Sequence, residues 1–325
     1  MANEIELSIV VPLLDEEDVF VELVARLRDM MVRSGFSCEV VLVDDGSHDR
    51  TPQLIESVCT TDQRFSGILL TRNFGHQHAI SAGLDHVRGN TVAIVDGDLQ
   101  DPPEILLEFH EKLGEGYDVV YAIRNNRKES WLKRFCYWSF YRLLKTIATV
   151  DIPLDAGDFC VMRRRVVREI TSMPERHRFL RGLRCWVGMR QIGVKYERQA
   201  RLRGTSKFSL PKLILLAVDG LLTFSELPLR LATASGSLIA TAAFVWGLYI
   251  VAWRFAGNAS DLPGFATLGC GMMFLGGIQM VFMGVLGEYI ARIHNEVKRR
   301  PIYIIDKVID FSRGQTQTAE SNEAH

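Results

Sequence analysis

Blocks of apolar residues alternate with amphipathic stretches through the first two thirds of the chain. Each short apolar block is typical of a buried strand, and each stretch with apolar residues three or four apart is typical of a helix packed on a sheet. Because strand and helix follow one another in turn, the pattern predicts an α/β fold with a mostly parallel sheet. The predicted strands cover residues 5–11, 39–43, 67–70, 91–95 and 118–123, and the predicted helices cover residues 17–33, 75–87 and stretches that start near 51 and 102.

Two long uncharged runs follow this region and predict a transmembrane hairpin over residues 231–290. The runs cover residues 231–253 and 262–287, and about 20 apolar residues suffice for a helix to cross a bilayer. Two buried core helices of a soluble domain are the alternative, which the length of the uncharged runs disfavours. Residues 208–230 mix apolar runs with charges and prolines and predict interfacial helices, and residues 291–325 are expected to form a cytoplasmic tail.

The net charge of the 325-residue chain is only −1, but its basic residues are unevenly placed. Residues 162–212 contain fifteen Lys and Arg against three acidic residues, directly before the apolar runs. This position favours a surface that faces lipid or binds phosphate over a merely solvated face. Basic residues also flank the outer ends of both runs. The positive-inside rule therefore predicts a multi-pass protein of the inner (cytoplasmic) membrane, with the α/β domain and both termini cytoplasmic.

The cysteine spacing argues against a zinc site and against a disulfide framework. The six cysteines show neither Cys-x-x-Cys nor zinc-like spacing, so free and mostly buried thiols in a reducing compartment are expected. The chain begins directly in a strand pattern, so no signal peptide is predicted. A nucleic-acid partner is not predicted. The polar residues after 312 predict a disordered tail.

The first candidate for chemistry is an acidic cluster that directly follows the fourth predicted strand. Asp96, Asp98 and Asp101 lie within six residues, after the apolar run that ends at Val95. Open α/β sheets bind ligands at the carboxyl ends of their strands. Mg²⁺ is commonly held by one or two carboxylates together with substrate phosphates. The cluster therefore predicts a metal-bound diphosphate, most simply that of a nucleotide-sugar.

Two further clusters follow neighbouring strands. Residues 44–47 read Asp-Asp-Gly-Ser, and their carboxylates suit the N–H and hydroxyl groups of a nucleoside, although Asp-Gly alone is also common in turns. Residues 72–77 read Arg-Asn-Phe-Gly-His-Gln, where glycine at a helix start allows close approach of a ligand. His76 is either a phosphate contact or a structural residue.

Two clusters lie further along the chain. Residues 151–159 form a predicted turn-rich loop, in which Asp158 is interpreted as an acceptor-orienting residue or general base rather than as part of an Asx turn. Residues 201–207 include Arg201, Arg203 and Lys207 close to the predicted membrane segment. Guanidinium and ammonium groups at that place suit a phosphate at the membrane surface.

Taken in order, these motifs resemble those of the polyisoprenyl-phosphate glycosyltransferases of glycosyltransferase family 2. That group includes the bactoprenol (undecaprenyl-phosphate) glucosyltransferases and, more distantly, dolichol-phosphate mannose synthase. The resemblance covers residues 7–306 and implies a GT-A domain over residues 1–207, followed by the two-helix transmembrane hairpin. It rests on motifs at residues 44–47, 72–75, 96–104, 157–159, 204–207, 287–292 and 296–303.

The resemblance also implies roles for individual residues. Asp96 and Asp98 would hold Mg²⁺ or Mn²⁺ and the donor diphosphate. Asp158 would lie at the acceptor, and Asp98 and Asp158 would be the catalytic residues. Asp158 would mainly position the acceptor, with base catalysis second. The implied substrate-binding residues are Pro12, Glu16, Asp44, Asp45, Asn73, Asp96, Arg124, Arg127, Arg203 and Lys207.

Two positions depart from the family's pattern. Residues 12–17 read Pro-Leu-Leu-Asp-Glu-Glu where the family usually shows Tyr-Asn-Glu-Glu, which alters the local contact of residues 14 and 15. Cys160 follows Phe159 where relatives often carry Arg, which would remove one phosphate contact.

The implied reaction is inverting transfer of a sugar from a nucleotide-sugar, with UDP-glucose favoured, to undecaprenyl phosphate, for modification of cell-envelope glycan or lipopolysaccharide. The expected partners are this donor, the polyisoprenyl phosphate acceptor, the lipid bilayer and further copies of the chain in a homo-oligomer. One alternative is a catalytically silent membrane anchor or assembly protein, which the intact carboxylates disfavour. The other is a processive polysaccharide synthase, which is disfavoured because residues 181–186 lack Gln-x-x-Arg-Trp spacing.

Overall fold

The computed structural model describes residues 5–124, 156–176, 178–196, 227–255, 264–310 and 315–318, and these form nine strands and eight helices. The strands are β1 Leu7–Leu13, β2 Cys38–Asp44, β3 Phe65–Leu70, β4 Thr91–Ile94, β5 Val119–Arg124, β6 Ala156–Arg163, β7 Gln191–Tyr196, β8 Ile305–Asp310 and β9 Gln315–Thr318. The helices are α1 Glu17–Ser34, α2 Thr51–Thr61, α3 His76–His86, α4 Ile105–Gly114, α5 Arg164–Ser172, α6 Leu180–Trp186, α7 Leu227–Phe255 and α8 Gly264–Val297.

The described strands form one sheet in the order β7-β5-β6-β4-β1-β2-β3-β8-β9. The four central strands, β4, β1, β2 and β3, are parallel, and β5 is parallel to β7. β6 runs antiparallel to β4 and β5, and β8 runs antiparallel to β3 and β9. Only β6 and β8 therefore oppose the other strands, and the predicted mostly parallel α/β fold is confirmed in a mixed sheet.

Helices cover both faces of this sheet. Alternate side chains of the central strands point to opposite faces, so Val10 and Val11 of β1 enter separate apolar cores. One core is completed by α1, α2 and α4, and the other by α3, α5 and α6. Burial on both sides explains why these strands are almost continuously apolar. The predicted strands and helices up to residue 124 match the observed elements within two residues at most ends.

β6 corrects one prediction. Residues 151–159 were expected to form a turn-rich loop, but β6 begins at Ala156 and pairs on both sides, with β4 and β5. Cross-strand pairing, which lies outside the local sequence, decides this conformation. Among the described residues four cysteines are free thiols, and Cys59 and Cys160 are buried.

The chain after α8 returns to the sheet and corrects a second prediction. Thr71 N–H donates to the Ile304 carbonyl at 3.0 Å, and the Tyr303 hydroxyl donates to Asp85 at 2.6 Å. Residues 315–318, expected to be disordered, instead form a strand against β8. Their backbone groups find partners on the open edge of β8, which polar composition does not reveal.

α7 and α8 belong to a second compact unit of the chain. Within the described residues one helical segment, Gly271–Val297 of α8, is long and apolar enough to cross a membrane. α7 carries a shorter apolar run, Ala232–Trp246. Large apolar side chains on both helices are exposed, including Phe244, Met273 and Phe274. The predicted two-helix hairpin is therefore seen in part. Interfacial helices were predicted over residues 208–230, of which 208–226 lie outside the described residues and 227–230 form the start of α7.

Candidate functional site

The central pair of carboxylates in the site is brought together by strand register. Ile94 at the end of β4 pairs with Cys160 of antiparallel β6, so two residues further on Asp96 comes opposite Asp158. His76 in the first turn of α3 lies between them, with Nε2 3.4 Å from Asp96 Oδ1 and 3.7 Å from Asp158 Oδ2. The site therefore has an acid, a histidine and a second acid in a row.

Asp158 is held from several sides. Arg181 donates through Nε to Oδ1 at 2.9 Å and through Nη2 to Oδ2 at 3.2 Å, and Gln77 Nε2 donates to Oδ2 at 3.1 Å. Gln77 Oε1 in turn accepts the Leu180 N–H at 2.9 Å. Burial raises the pKa of Asp158, but His76 and Arg181 outweigh this and hold it well below its usual range. The carboxylate is thus ionised and poorly suited to accept a proton.

Asp96 has the opposite electrostatic setting. Burial raises its pKa to about 6, against the opposing effect of His76 and with support from the charges of Asp101, Asp158 and Asp98. Burial lowers the pKa of His76, but the hydrogen bond to Asp158 and the charge of Asp96 outweigh it, so that pKa is raised. Asp96 Oδ1 is buried and accepts no hydrogen bond among the described residues. The acidic centre therefore favours a bound cation.

The turn after β4 presents oxygen ligands that fit a divalent metal. Asp98 Oδ1 accepts the Gln100 N–H at 3.2 Å, and the turn is fixed by buried Leu99 in the left-handed region, φ 57°. Buried Asp101 accepts a hydrogen bond from the Tyr196 hydroxyl. Among the described residues no group of three or more acidic, His or Cys side chains is placed to hold a metal. Two carboxylates completed by substrate phosphates suit Mg²⁺ or Mn²⁺.

The turn after β2 is tied to the turn after β3. Asp45 is buried, and its carboxylate accepts the Phe74 N–H at 2.8 Å and the Gly75 N–H at 3.0 Å. Asp44 Oδ2 accepts the backbone N–H groups of Gly46 and Ser47 in its own turn, at 3.1 Å each. Asp44 Oδ1 is buried with no hydrogen-bond partner among the described residues. Asp45 therefore builds the site, while Asp44 has an oxygen available to a ligand.

The remaining predicted site residues lie partly within and partly outside the described ranges. Pro12 is buried in β1, Glu16 directly precedes α1 with its N–H donated to Thr51 Oγ1 at 3.1 Å, and Asn73 is exposed beside the Asp45 contacts. The backbone of Arg124 ends β5 opposite Tyr196. The structure does not describe Arg127, Arg203 and Lys207.

Sequence reasoning did not assign roles to three residues of the site: Gln77, Arg181 and Arg184. Gln77 lies in the motif at 72–77, in which the pattern indicated a ligand contact for Gly75 and His76 but not for Gln77. The two arginines belong to the basic stretch and to residues 181–186, which lack Gln-x-x-Arg-Trp spacing, and neither observation predicted a role for them. Their i, i+3 spacing places them on one side of α6. Nothing local in the sequence indicates that Arg181 faces Asp158.

Comparison with known proteins identifies the class. The model of Glycosyl transferase family 2 matches residues 8–171, and that of the GtrB C-terminal hairpin matches residues 227–293. The chain belongs to glycosyl transferase family 2, and it is a glycosyltransferase with the predicted GT-A-type domain.

Individual relatives extend over nearly the whole chain. The uncharacterized glycosyltransferase YkcC of Bacillus subtilis (strain 168) is 42% identical over 94% of this chain and 95% of its own. The prophage bactoprenol glucosyl transferase homolog of Escherichia coli (strain K12) is 39% identical over 93% of this chain and 99% of its own. A solved structure, mannosyltransferase PcManGT from Pyrobaculum calidifontis with GDP-Man and Mn²⁺, is 19% identical with a TM-score of 0.42, covering 92% and 89% of the two chains.

Proposed function

We propose that this protein transfers a sugar, with glucose favoured, from a UDP-sugar to undecaprenyl phosphate and inverts the anomeric centre. The product is a polyprenyl-phosphate sugar for modification of cell-envelope glycan or lipopolysaccharide. The observation that carries the proposal is the facing pair Asp96 and Asp158, bridged by His76, at the carboxyl edge of the central strands. The relative named a bactoprenol glucosyl transferase homolog supports the choice of acceptor and sugar.

The donor side is built from the turns after β2 and β4. Asp96 and Asp98 would hold Mg²⁺ or Mn²⁺, which supplies positive charge to the diphosphate of the donor and of the leaving UDP. Oδ1 of Asp44, which is buried and accepts no hydrogen bond among the described residues, suits an N–H or hydroxyl of the nucleoside. Asp45 fixes the turn after β3, so that the residues beside it keep one position when the donor binds.

The acceptor side does not require a strong base. The second pKa of a phosphate monoester is about 6, so the acceptor is largely ionised at neutral pH. An acceptor phosphate oxygen forms a bond to the anomeric carbon while the bond from that carbon to the UDP oxygen breaks, and UDP leaves with the electron pair. The lowered pKa of Asp158, with burial outweighed by His76 and Arg181, agrees with a positioning role.

The membrane unit would hold the acceptor's chain. α7 and α8 would cross the bilayer as a hairpin with both ends cytoplasmic, because basic residues flank both outer ends. A lipid acceptor confined to the same membrane meets the site as a nearly intramolecular reactant. The glycine-rich second helix would support self-association.

The test uses purified full-length protein in nanodiscs that contain undecaprenyl phosphate. Radiolabelled UDP-glucose and other UDP-sugars are supplied with Mg²⁺ or Mn²⁺, and label is followed into the lipid fraction. Transfer that needs the metal and is lost in Asp98→Ala is expected. Absence of transfer from every donor by folded protein would reject the proposal and favour a silent anchor, whereas undiminished transfer by Asp98→Ala would reject the metal site.

A further inference from the structure

One buried cation near the site has no anionic partner. Arg184 of α6 is 2% exposed, and its Nε and Nη2 find no hydrogen-bond acceptor among the described residues. Its guanidinium stacks over the ring of Tyr121, with Cζ 4.7 Å from the ring centroid, and lies against Cys160, the cross-strand neighbour of Tyr121. A buried guanidinium is costly unless a negative charge compensates it, so this position is suited to an anion.

Arg184 shares a cleft with the acid of the site. Asp158, Arg181 and Arg184 line this cleft together with apolar side chains from β4, β6, α5 and α6. Asp158 balances the charge of Arg181 through two hydrogen bonds, but no described carboxylate pairs with Arg184. The cleft therefore keeps an excess positive charge beside apolar walls. That combination suits the head of an amphiphile whose charged end is a phosphate.

The position of Arg184 above the sheet separates it from the proposed donor residues. It lies over the pair β5 and β6, Asp158 stands on β6, Asp96 follows β4, and Asp44 ends β2. In the strand order these groups form a row in which Asp158 comes between Arg184 and the proposed metal ligands. The backbone of Arg184 is fixed there, because its carbonyl accepts a hydrogen bond from Gln191 Nε2 at 2.8 Å.

We propose that Arg184, together with Arg181, forms the subsite for the phosphate monoester of the acceptor. The inference rests on the proposed function and names the residues that bind one of its substrates. A guanidinium binds two oxygens of a phosphate through its planar fork, which a single ammonium does not reproduce. Asp158 then acts as a positioning residue that holds Arg181 toward the cleft.

The kinetic test compares Arg184→Gln and Arg184→Lys in nanodiscs. For Arg184→Gln, KM for undecaprenyl phosphate should rise at least tenfold while KM for the UDP-sugar changes less than twofold. The KM of Arg184→Lys for undecaprenyl phosphate should lie between those of Arg184→Gln and wild type. Arg163→Gln is the matched control, because Arg163 donates to the Tyr117 and Leu113 carbonyls and lies outside the cleft. An unchanged acceptor KM, or a rise confined to the UDP-sugar, would overturn the inference.

A binding test is independent of turnover. Geranyl phosphate and UDP are titrated separately into each protein in detergent, and binding is followed by ³¹P line width and by the thermal unfolding midpoint. Wild type should bind geranyl phosphate, Arg184→Gln should lose this binding at least tenfold, and Arg184→Lys should bind with intermediate affinity, while both variants keep UDP binding. If wild type transfers no sugar but this pattern appears, the proposed function fails and the phosphate subsite stands. Equal geranyl phosphate binding by wild type and folded Arg184→Lys overturns the subsite, even if Arg184→Gln does not fold.

Discussion

Gly46 lies where the turn after β2 touches the turn after β3. Its φ is +72°, and a Cβ at this position would lie 2.4 Å from the Arg72 carbonyl carbon and 2.5 Å from the Asn73 nitrogen. Both neighbours are backbone atoms that are held in place by Asp45 through the adjoining N–H groups. Glycine is therefore needed here for space as well as for conformation.

Replacement of Gly46 by alanine should separate these two effects when compared with Gly35→Ala. Gly35 has nearly the same φ, +71°, but no atom within 4 Å of a built Cβ. Gly35→Ala should cost about 1 kcal/mol from backbone conformation alone, and Gly46→Ala at least about 2 kcal/mol more from the collision. Unfolding in detergent measures both, and equal losses would show that the two turns separate easily.

The pair Asp158 and Arg181 predicts non-additive kinetics. Asp158→Asn and Arg181→Gln should each lower kcat/KM about 10- to 100-fold, because each leaves the other side chain without its partner. The double variant should have a kcat/KM no lower than that of the less active single variant, since the shared interaction can be lost only once. Losses that multiply would instead mean that the two residues act independently, with Asp158 touching the reactants directly.

Part of the candidate site could be predicted from the sequence. Asp44, Asp45, Asp96 and Asp98 could be placed at one edge of the sheet because they follow apolar runs, and the ends of parallel strands share that edge. The partners of Asp158 could not be predicted, because Gln77 and Arg181 are 81 and 23 residues away in the chain. Only the register of β4 with β6 and the packing of α6 bring them together.

At the scale of elements, β8 is held in the sheet domain by packing against the apolar core. Ile309 of β8 is 6% exposed and belongs to the core that includes Ile55 and Phe65, whereas Ile304, just before the strand, is 50% exposed. β8 is further joined to α2 through Lys307 and Glu56, whose charged atoms are 2.8 Å apart. The strand is therefore part of the enzyme domain and is not a peripheral tail.

Ile309→Ala should lower the free energy of unfolding of the sheet domain by about 2 to 4 kcal/mol, since it removes buried methyl groups and leaves a cavity. Ile304→Ala removes the same atoms from a half-exposed position and should cost less than about 1 kcal/mol. Thermal unfolding of both variants, followed by circular dichroism, measures the difference. Similar midpoints for both would mean that β8 contributes little to stability.

Elements with a strong local pattern were predictable and those defined by pairing were not. α1 has acidic residues in its first turn and Gly35 in the left-handed conformation after its end, and both signals are local. β6 and β9 lack such signals. They are strands because neighbouring backbone groups need partners, and that need is visible only when the sheet is assembled.

At the scale of the whole molecule, the sheet restricts the membrane topology. β3 and β8 pair in one sheet, and the chain between them passes through α7 and α8. A hydrogen-bonded sheet cannot be divided by a bilayer, so the chain must cross an even number of times between residues 70 and 305. A single crossing by α8 would place the two strands on opposite sides of the membrane, so the proposed hairpin requires α7 to cross as well, although α7 has the shorter apolar run.

Topology reporters measure this directly. Alkaline phosphatase inserted between residues 256 and 263 should be active, because that connection is proposed to lie outside, whereas the same enzyme fused after residue 325 should be inactive. Green fluorescent protein should give the reverse pattern, with fluorescence only at the C-terminus. Equal phosphatase activity at both positions would contradict the hairpin.

The return of β8 also sets an order of events during synthesis. About 235 residues separate the end of β3 from the start of β8, which at 5 to 20 residues per second corresponds to roughly 10 to 50 s on the ribosome. During that time β3 has an open edge, and open edges invite pairing with other chains. In the proposed topology α7 and α8 emerge before the strand that covers this edge, so the chain would begin to enter the membrane while its sheet is still unfinished.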